Sequence, residues 1–203
     1  MSQRSDEQLL EAFRGGDAVA FRTLIERHQD DLLRFLVRLT GDRASAEDVF
    51  QETFLQVHLS IDSFDPTRRF KPWMFTIAAN KARDLLRKRV RRQEVDLSAP
   101  VPGQSGESGP AFVDLMEIDI PPPDRRLESA DQDRLVQQAV DRMPLVLREI
   151  LLLAYFQKLS YAQIADELHI PLGTVKSRLH AAVAAFAKHW RGVSKPEDST
   201  TNS

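Results

Sequence analysis

The stretch KLSYAQIADELHIPLGTVKSRLHAAVAAF, which covers residues 158–186, has the pattern of two helices joined by a tight turn. Ser160 is followed three residues later by Gln163, a pair that typically forms a capping box at the start of a helix. We predict that this helix covers residues 161–168 and that a turn follows through residues 169–171. The stretch is therefore predicted to form a helix-turn-helix.

The second helix of this stretch opens at Gly173 and has an apolar side and a polar side. Its inward side is predicted to carry Val175, Leu179, Val183 and Phe186. Its outward side carries hydrogen-bond donors rather than acids, at Thr174, Lys176, Ser177, Arg178 and His180. Taken alone, His180 is typical of a solvated histidine. A helix in the major groove presents such residues to base edges and phosphates, so the pattern favours DNA binding over a plain pair of surface helices.

Upstream of the helix-turn-helix, residues 95–128 are rich in proline, glycine, serine and acids. Such a segment cannot bury enough apolar surface to fold alone, and its run of three prolines is stiff and extended. We predict an all-α protein with two small helical domains, at residues 1–94 and 129–191. The flexible acidic linker joins them, and residues 192–203 form a polar tail.

The net charge of −2 conceals two segments of opposite charge. Residues 66–92 contain ten basic residues and one acid, Asp84, whereas residues 94–133 contain ten acids and two arginines. A basic block beside an acidic one indicates a polyanion site next to a segment that mimics or repels a polyanion.

Apolar spacing predicts four helices in the first domain. Asp6 is predicted to cap the first, and Gly15 and Gly16 to end it. The second is predicted to run from near Asp17 to Gly41. The third covers about residues 45–59 and is predicted to bury Val49, Phe50, Thr53, Phe54 and Val57.

The fourth helix, in the segment RRFKPWMFTIAANKARDLLRKRVRR at residues 68–92, combines aromatic residues, an amide and many basic residues. Phe70 and Ile77 are at a spacing typical of core residues, and Trp73 fits a core or a binding role equally well. Asn80 is unusual because a mid-helix amide costs helix propensity and generally needs a partner. Aromatic and amide groups bind unpaired bases, and clustered Arg and Lys follow the phosphate backbone. The segment therefore predicts a site that holds separated strands.

Three quoted segments resemble the bacterial extracytoplasmic-function (ECF) RNA polymerase sigma factors. GDRASAEDVFQETFLQVHLSIDSF at residues 41–64 and FKPWMFTIAANKARDLLRKRVRR at residues 70–92 resemble the second conserved region of that family. LSYAQIADELHIPLGTVKSRLHAAVAAF at residues 159–186 resembles its fourth. The resemblance implies a subunit that directs core RNA polymerase to promoters, and it covers about residues 6–92 and 129–190.

The resemblance also implies roles for individual residues. The clamp coiled coil of the largest polymerase subunit would be bound by Asp48, Gln51 and Glu52. At the minus-ten element, the residues that would capture unpaired bases or bind phosphates are Ser63, Phe64, Arg68, Arg69, Trp73, Asn80, Lys81, Arg83 and Arg87. The duplex minus-thirty-five element would be recognised by Thr174, Lys176, Ser177, Arg178 and His180, and Arg178 would contact the DNA backbone. The acidic linker would thread towards the RNA exit channel.

The chain departs from the family pattern in three places. Ala181 and Ala182 stand where the recognition helix often continues with arginine, and Phe156-Gln157 stands where an acidic, glycine-containing turn is common. The insert DPTRR at residues 65–69 is more basic than in many members.

The remaining expectations concern partners and compartment. The expected partners are core RNA polymerase and promoter DNA, both as duplex and as non-template single strand, with an anti-sigma factor as a further candidate. The chain is expected to be cytoplasmic, since the sequence shows no signal peptide or membrane span. It is also expected to be monomeric when free. We expect no cofactor, no metal site and no catalytic residue. The chain has no cysteine, which excludes disulfides and thiolate zinc sites.

Two other interpretations use the same residues. A stand-alone helix-turn-helix regulator that binds duplex operators would explain the second half but gives the basic, aromatic helix no role. A metal-binding helical bundle would need Glu-x-x-His pairs, and none occurs in the sequence.

Overall fold

The computed structural model describes residues 4–96 and 130–194, and the only regular elements in these two ranges are helices. The α-helices are α1 (Asp6–Arg14), α2 (Ala18–Thr40), α3 (Arg43–Ser60), α4 (Phe70–Asp96), α5 (Ala130–Asp141), α6 (Leu145–Leu151), α7 (Tyr161–Leu168) and α8 (Leu172–Ser194). A 3₁₀ turn (Ile61–Ser63) follows α3, and a π-helical turn (Leu152–Phe156) follows α6. The predicted all-α class is confirmed.

The predicted linker and tail fall almost wholly outside the described residues. Only residues 95 and 96 of the linker are described, and they end α4. α8 continues to Ser194, past the predicted end of the second domain, and residues 195–203 are not described. Within the described ranges, none of the helices combines the length and apolarity that a membrane crossing needs.

Local capping chemistry determines where the first helices begin and end. The predicted cap of α1 at Asp6 is wrong: Ser5 is the N-cap, and it exchanges two hydrogen bonds with Gln8 in a capping box. The carboxylate of Asp6, the first helical residue, instead faces α2. α2 starts and ends where predicted: Asp17 is its N-cap, and Gly41 ends it with φ 84°, a left-handed conformation that glycine adopts without steric cost.

The first four helices pack as a bundle around a core of large apolar side chains. Phe35 of α2 meets Phe75 of α4 edge to face, with ring centroids 5.2 Å apart. On α3 the predicted inward stripe is buried except for Phe50, which is half-buried against the core. These contacts fix α4, the basic helix, against α2 and α3.

The last four helices form a second bundle that contains the predicted helix-turn-helix. Ser160 and Gln163 form the predicted capping box at the start of α7. The inward stripe of α8 is buried as predicted, at Val175, Leu179, Val183 and Phe186. The π-helical turn before α7 was not predicted, and it leads into the buried Gln157, where the sequence departs from the family.

The two bundles pack on each other, α2 against α5 and α6, and α4 against α7. The guanidinium carbon of Arg38 lies 4.3 Å from the ring centroid of Phe156, and Arg38 Nη2 donates to Asp133 over 3.0 Å. Arg148 Nη1 donates to the carbonyl oxygen of Leu39 over 2.9 Å. Burial at this interface lowers the pKa of both arginine side chains.

Candidate nucleic-acid interface

The capture loop, residues 61–69, consists of the 3₁₀ turn after α3 and the segment that leads into α4, and it carries several exposed polar residues. Ser63 is exposed, and its hydroxyl donates to the carbonyl oxygen of Ser60 over 2.8 Å. The Asp65 carboxylate accepts from the backbone N–H and the hydroxyl of Thr67, at 2.9 and 2.8 Å. These hydrogen bonds, the backbone one first, hold the pKa of Asp65 below its usual value. The loop is therefore locally ordered, with Ser63 at its surface.

The aromatic residues predicted to capture bases, Phe64 in this loop and Trp73 on α4, pack against each other. Phe64 is only 5% exposed, and its ring centroid is 4.6 Å from that of Trp73. Trp73 is half-buried and also approaches Phe70, with centroids 6.1 Å apart. In this conformation Phe64 is a packing residue, and stacking on a base would require it to leave Trp73.

Arg14, on α1, is a residue of this site that the sequence analysis did not identify. Its Nε donates to the carbonyl oxygen of Ile61 over 2.9 Å, and its Nη2 donates to the carbonyl oxygen of Phe64 over 2.6 Å. An arginine in the last turn of a helix is common, and its partners are distant in sequence. No local pattern could have indicated this contact.

Along α4 the predicted contact residues differ in exposure. Asn80 and Arg87 are exposed, as is Arg69 in the loop before the helix, whereas Lys81 and Arg83 are half-buried. Asn80, Arg83 and Arg87 share a cavity of about 340 Å³ with residues of the second bundle, including Arg178. The structure thus brings part of the predicted minus-ten set next to one residue of the minus-thirty-five set.

Acids of the second bundle pair with two of the predicted phosphate-binding arginines. Arg83 forms an ion pair with Glu149 of α6, which is 4% exposed. Arg68 Nη2 lies 2.8 Å from both Asp166 and Glu167 of α7. Burial raises the pKa of Glu167, and Arg68 opposes that shift. In this arrangement a phosphate would have to replace a carboxylate at both arginines.

The start of α8 presents a polar surface. Lys176 and Ser177 are exposed, while Thr174, Arg178 and His180 are half-buried. The two alanines that stand where the family often has arginine differ in exposure, since Ala181 is exposed and Ala182 is fully buried. Ala182 is thus a packing residue, and only Ala181 changes the outward surface.

The polymerase-binding residues predicted on α3 form an exposed stripe. Asp48, Gln51 and Glu52 are all exposed on the side opposite the buried residues of the helix. Leu55 and Leu59 continue the stripe at helical spacing, with exposed fractions of 58% and 69%. Neither leucine was predicted as part of this surface, although their positions outside the apolar stripe could have indicated them.

Comparison with known proteins identifies the family. The chain matches Sigma-70 region 2 over residues 24–92 and Sigma-70, region 4 over residues 133–186. It is 32% identical over 176 residues to the ECF RNA polymerase sigma factor SigW of Bacillus subtilis (strain 168), across 87% of this chain and 91% of SigW. It is 33% identical over 189 residues to the RNA polymerase sigma-H factor of Pseudomonas aeruginosa, across 93% of this chain and 95% of that protein.

Solved structures agree with this fold. The sigma factor RpoE of Bartonella quintana, in complex with the anti-sigma factor NepR, has a TM-score of 0.60 and 25% identity, over 84% of this chain and 96% of RpoE. CnrH, in complex with the cytosolic domain of CnrY, has a TM-score of 0.65 and 23% identity, over 93% of this chain and 99% of CnrH, which is a likeness of fold alone.

The chain belongs to the ECF RNA polymerase sigma factors of the sigma-70 family. It is a sigma factor that directs promoter-specific transcription initiation, as the sequence predicted. Sigma regions 2 and 4 bind core RNA polymerase and promoter DNA. Sigma factors as a class are not enzymes, and nothing in the matches favours a stand-alone regulator.

Proposed function

We propose that the two bundles divide promoter recognition between them. The first, within residues 1–94, binds polymerase and captures the minus-ten strand, and the second, within residues 129–191, recognises the duplex minus-thirty-five element. The observation that carries this proposal is the start of α8, where Lys176 and Ser177 are exposed while Val175 beside them is fully buried. A recognition helix needs this arrangement of donors outward and anchors inward.

At the minus-thirty-five element, Lys176, Ser177 and His180 contact base edges, and Thr174 and Arg178 lie near the backbone. Lysine and serine are donors suited to bases in the major groove, where each base pair shows a distinct pattern. Arg178 is half-buried and lines the cavity next to α4, which supports a backbone role over a base contact.

At the minus-ten element, Ser63 and Asn80 contact unpaired bases because both are exposed and both carry hydrogen-bonding groups. The predicted phosphate contacts are Arg68, Arg69, Lys81, Arg83 and Arg87. Phe64 and Trp73 serve first as the packed support of the loop, and either would stack on a base only after the two rings separate.

The polymerase contact lies on α3, at Asp48, Gln51 and Glu52. All three side chains are exposed, and exposed leucines extend the same face. A surface that combines acids with large apolar side chains suits a partner with basic and apolar groups, and such apolar surface is uncommon on a face without a partner.

The remaining proposals concern partners and setting. An anti-sigma factor is a candidate partner, because the similar RpoE was solved bound to one. The protein acts in the cytoplasm as a monomer until it joins polymerase, and it performs no catalysis of its own. The acidic linker, residues 95–128, passes towards the RNA exit channel.

Run-off transcription from fragmented genomic DNA tests this function. Purified core RNA polymerase is assayed with the chain, without it, and with a variant that carries Lys176→Ala and Asn80→Ala together. The proposal predicts discrete start sites that depend on the wild-type chain and weaken strongly with the variant. Start sites that the variant supports as well as the wild type would refute these residue assignments.

A further inference from the structure

We propose that Arg14 is a positioning residue that fixes the minus-ten capture loop from the side of α1. This inference rests on the proposed role of that loop in capturing an unpaired base. The guanidinium group of Arg14 bonds to the carbonyl oxygens of Ile61 and Phe64, the residues on either side of the exposed Asp62 and Ser63. One side chain therefore holds both ends of the turn that presents Ser63.

The geometry of these bonds suits arginine. The carbonyl oxygen of Ile61 also accepts the backbone N–H of Phe64 over 3.2 Å, which closes the 3₁₀ turn. Arg14 donates to that same oxygen and to the carbonyl oxygen of Phe64, which the helical ladder leaves without a partner. A guanidinium group carries five N–H donors in a fixed plane, whereas a lysine ammonium is a point charge. Replacement by lysine would keep the charge and lose the two-carbonyl geometry.

The helix that carries Arg14 is itself fixed at its other end. Asp6 accepts from Arg27 over 2.5 Å and lies 2.8 Å from His28 Nε2, both on α2. Glu7 Oε1 accepts the backbone N–H of Phe70, the first residue of α4, over 3.2 Å. α1 thus holds the capture segment at both of its ends, through Arg14 at the 3₁₀ turn and Glu7 at the start of α4.

The ring of Phe13 completes this attachment. It stacks on Phe21 of α2 with centroids 4.6 Å apart and lies 5.4 Å from the ring of His58 on α3. These ring contacts attach the residue next to Arg14 to α2 and α3, independently of the loop. Loss of the Arg14 side chain would free the turn while leaving the core contacts of α1 in place.

The expected consequence is a loss of base discrimination and of strand opening without a loss of polymerase affinity. The test compares Arg14→Gln and Arg14→Lys with Arg22→Gln, in which an exposed arginine of α2 loses the same charge. Each full-length variant is assembled with core polymerase. Opening is followed by 2-aminopurine fluorescence at the minus-ten element, on templates that carry each base in turn at the positions of that element.

We expect Arg14→Gln to open the preferred template about tenfold more slowly, which corresponds to about 1.4 kcal/mol, and to flatten the preference among bases. Arg14→Lys should lie between Arg14→Gln and wild type, and Arg22→Gln should match wild type. Equal opening and equal base preference in Arg14→Gln and wild type would overturn the inference. So would a loss of polymerase affinity or thermal stability large enough to account for the slower opening. If wild-type holoenzyme opened no template, the proposed function of the loop would fail instead.

Discussion

Arg83 of α4 and Glu149 of α6 form an ion pair across the interface of the two bundles. Glu149 is almost completely buried, and Arg83 is half-buried beside Asn80 in the same cavity. The guanidinium group that we assign to a promoter phosphate is therefore already paired with a carboxylate. The same arginine can hold the two bundles together or bind DNA, but it cannot pair fully with both at once.

The coupling between these two residues can be measured in a double-mutant cycle. Glu149→Gln and Arg83→Gln should each lower the free energy of unfolding, because each leaves the other charge without its partner in a poorly solvated site. The double variant should lose less than the sum, with a coupling energy of about 0.5–3 kcal/mol. Urea unfolding of the four proteins gives this value. Strict additivity would mean that the pair contributes nothing to bundle packing.

The ion pairs of Arg68 should make the distance between the bundles depend on salt. The chain has no cysteine, so Gln29→Cys and Ala184→Cys, both at exposed positions, provide one fluorophore site per bundle. Arg68→Glu places a negative charge next to Asp166 and Glu167 and should lower energy transfer at low salt. The difference should shrink near 1 M salt, where the Debye length is about 3 Å.

Arg69→Glu is the matched control. Arg69 is the exposed neighbour of Arg68, and its replacement by glutamate changes the net charge by the same amount. It should leave energy transfer close to that of the unsubstituted labelled chain. A response to Arg69→Glu as large as that to Arg68→Glu would show that net charge, and not the specific contact with α7, controls the distance.

Lys176→Ala should weaken discrimination at the minus-thirty-five element by about 1–3 kcal/mol if Lys176 contacts a base. Binding of the holoenzyme to specific and random duplexes measures this difference. Lys188→Ala, at an exposed position further along α8, is the control and should change neither affinity. An equal loss on specific and random DNA would instead identify Lys176 as a phosphate contact.

The attachment of α1 should depend on pH through Asp6. Burial disfavours the charged carboxylate, but the interactions with His28 and Arg27 outweigh it and hold the pKa of Asp6 below its usual value of 3.8. A lowered pKa in the folded state contributes stability that is present above the unfolded pKa and is lost as the pH falls through the folded value.

The variant Asp6→Asn isolates this contribution. The free energy of unfolding of this variant should be lower than that of wild type, and this deficit should be largest at pH 7. The deficit should diminish below about pH 4, near the unfolded pKa of aspartate. Urea unfolding at pH 7, 5 and 3 measures the deficit. A deficit that stays constant across this range would show that the charge of Asp6 does not stabilise the fold.

Local chemistry explains what could be predicted from the sequence. The capping box of Ser160 and Gln163, the left-handed Gly41 and the apolar stripe of α8 depend on residues a few positions apart, and the structure agrees with all three. The predicted cap of α1 was wrong although the local pattern favoured Ser5. Ser5 and Asp6 are both suitable cap residues, but only Ser5 is followed three residues later by a glutamine, Gln8, which completes the capping box.

Contacts between distant residues explain what could not be predicted. Phe64 is buried because Trp73 provides a pocket for its ring, and a loop aromatic gives no such indication in sequence. Arg14 bonds to residues 47 and 50 positions away, and the pairing of Arg83 with Glu149 depends on how two bundles meet. Neither hydrophobic periodicity nor capping patterns carry that information.

If the first bundle holds a separated minus-ten strand, the initiation rate of Asn80→Ala should depend on whether the template is already unpaired. One template is fully paired, and the other has the minus-ten element already unpaired. We expect the variant to be about tenfold slower than wild type on the paired template, about 1.4 kcal/mol in activation free energy, and nearly as fast on the unpaired one. A rate equal to wild type on the paired template would contradict this expectation.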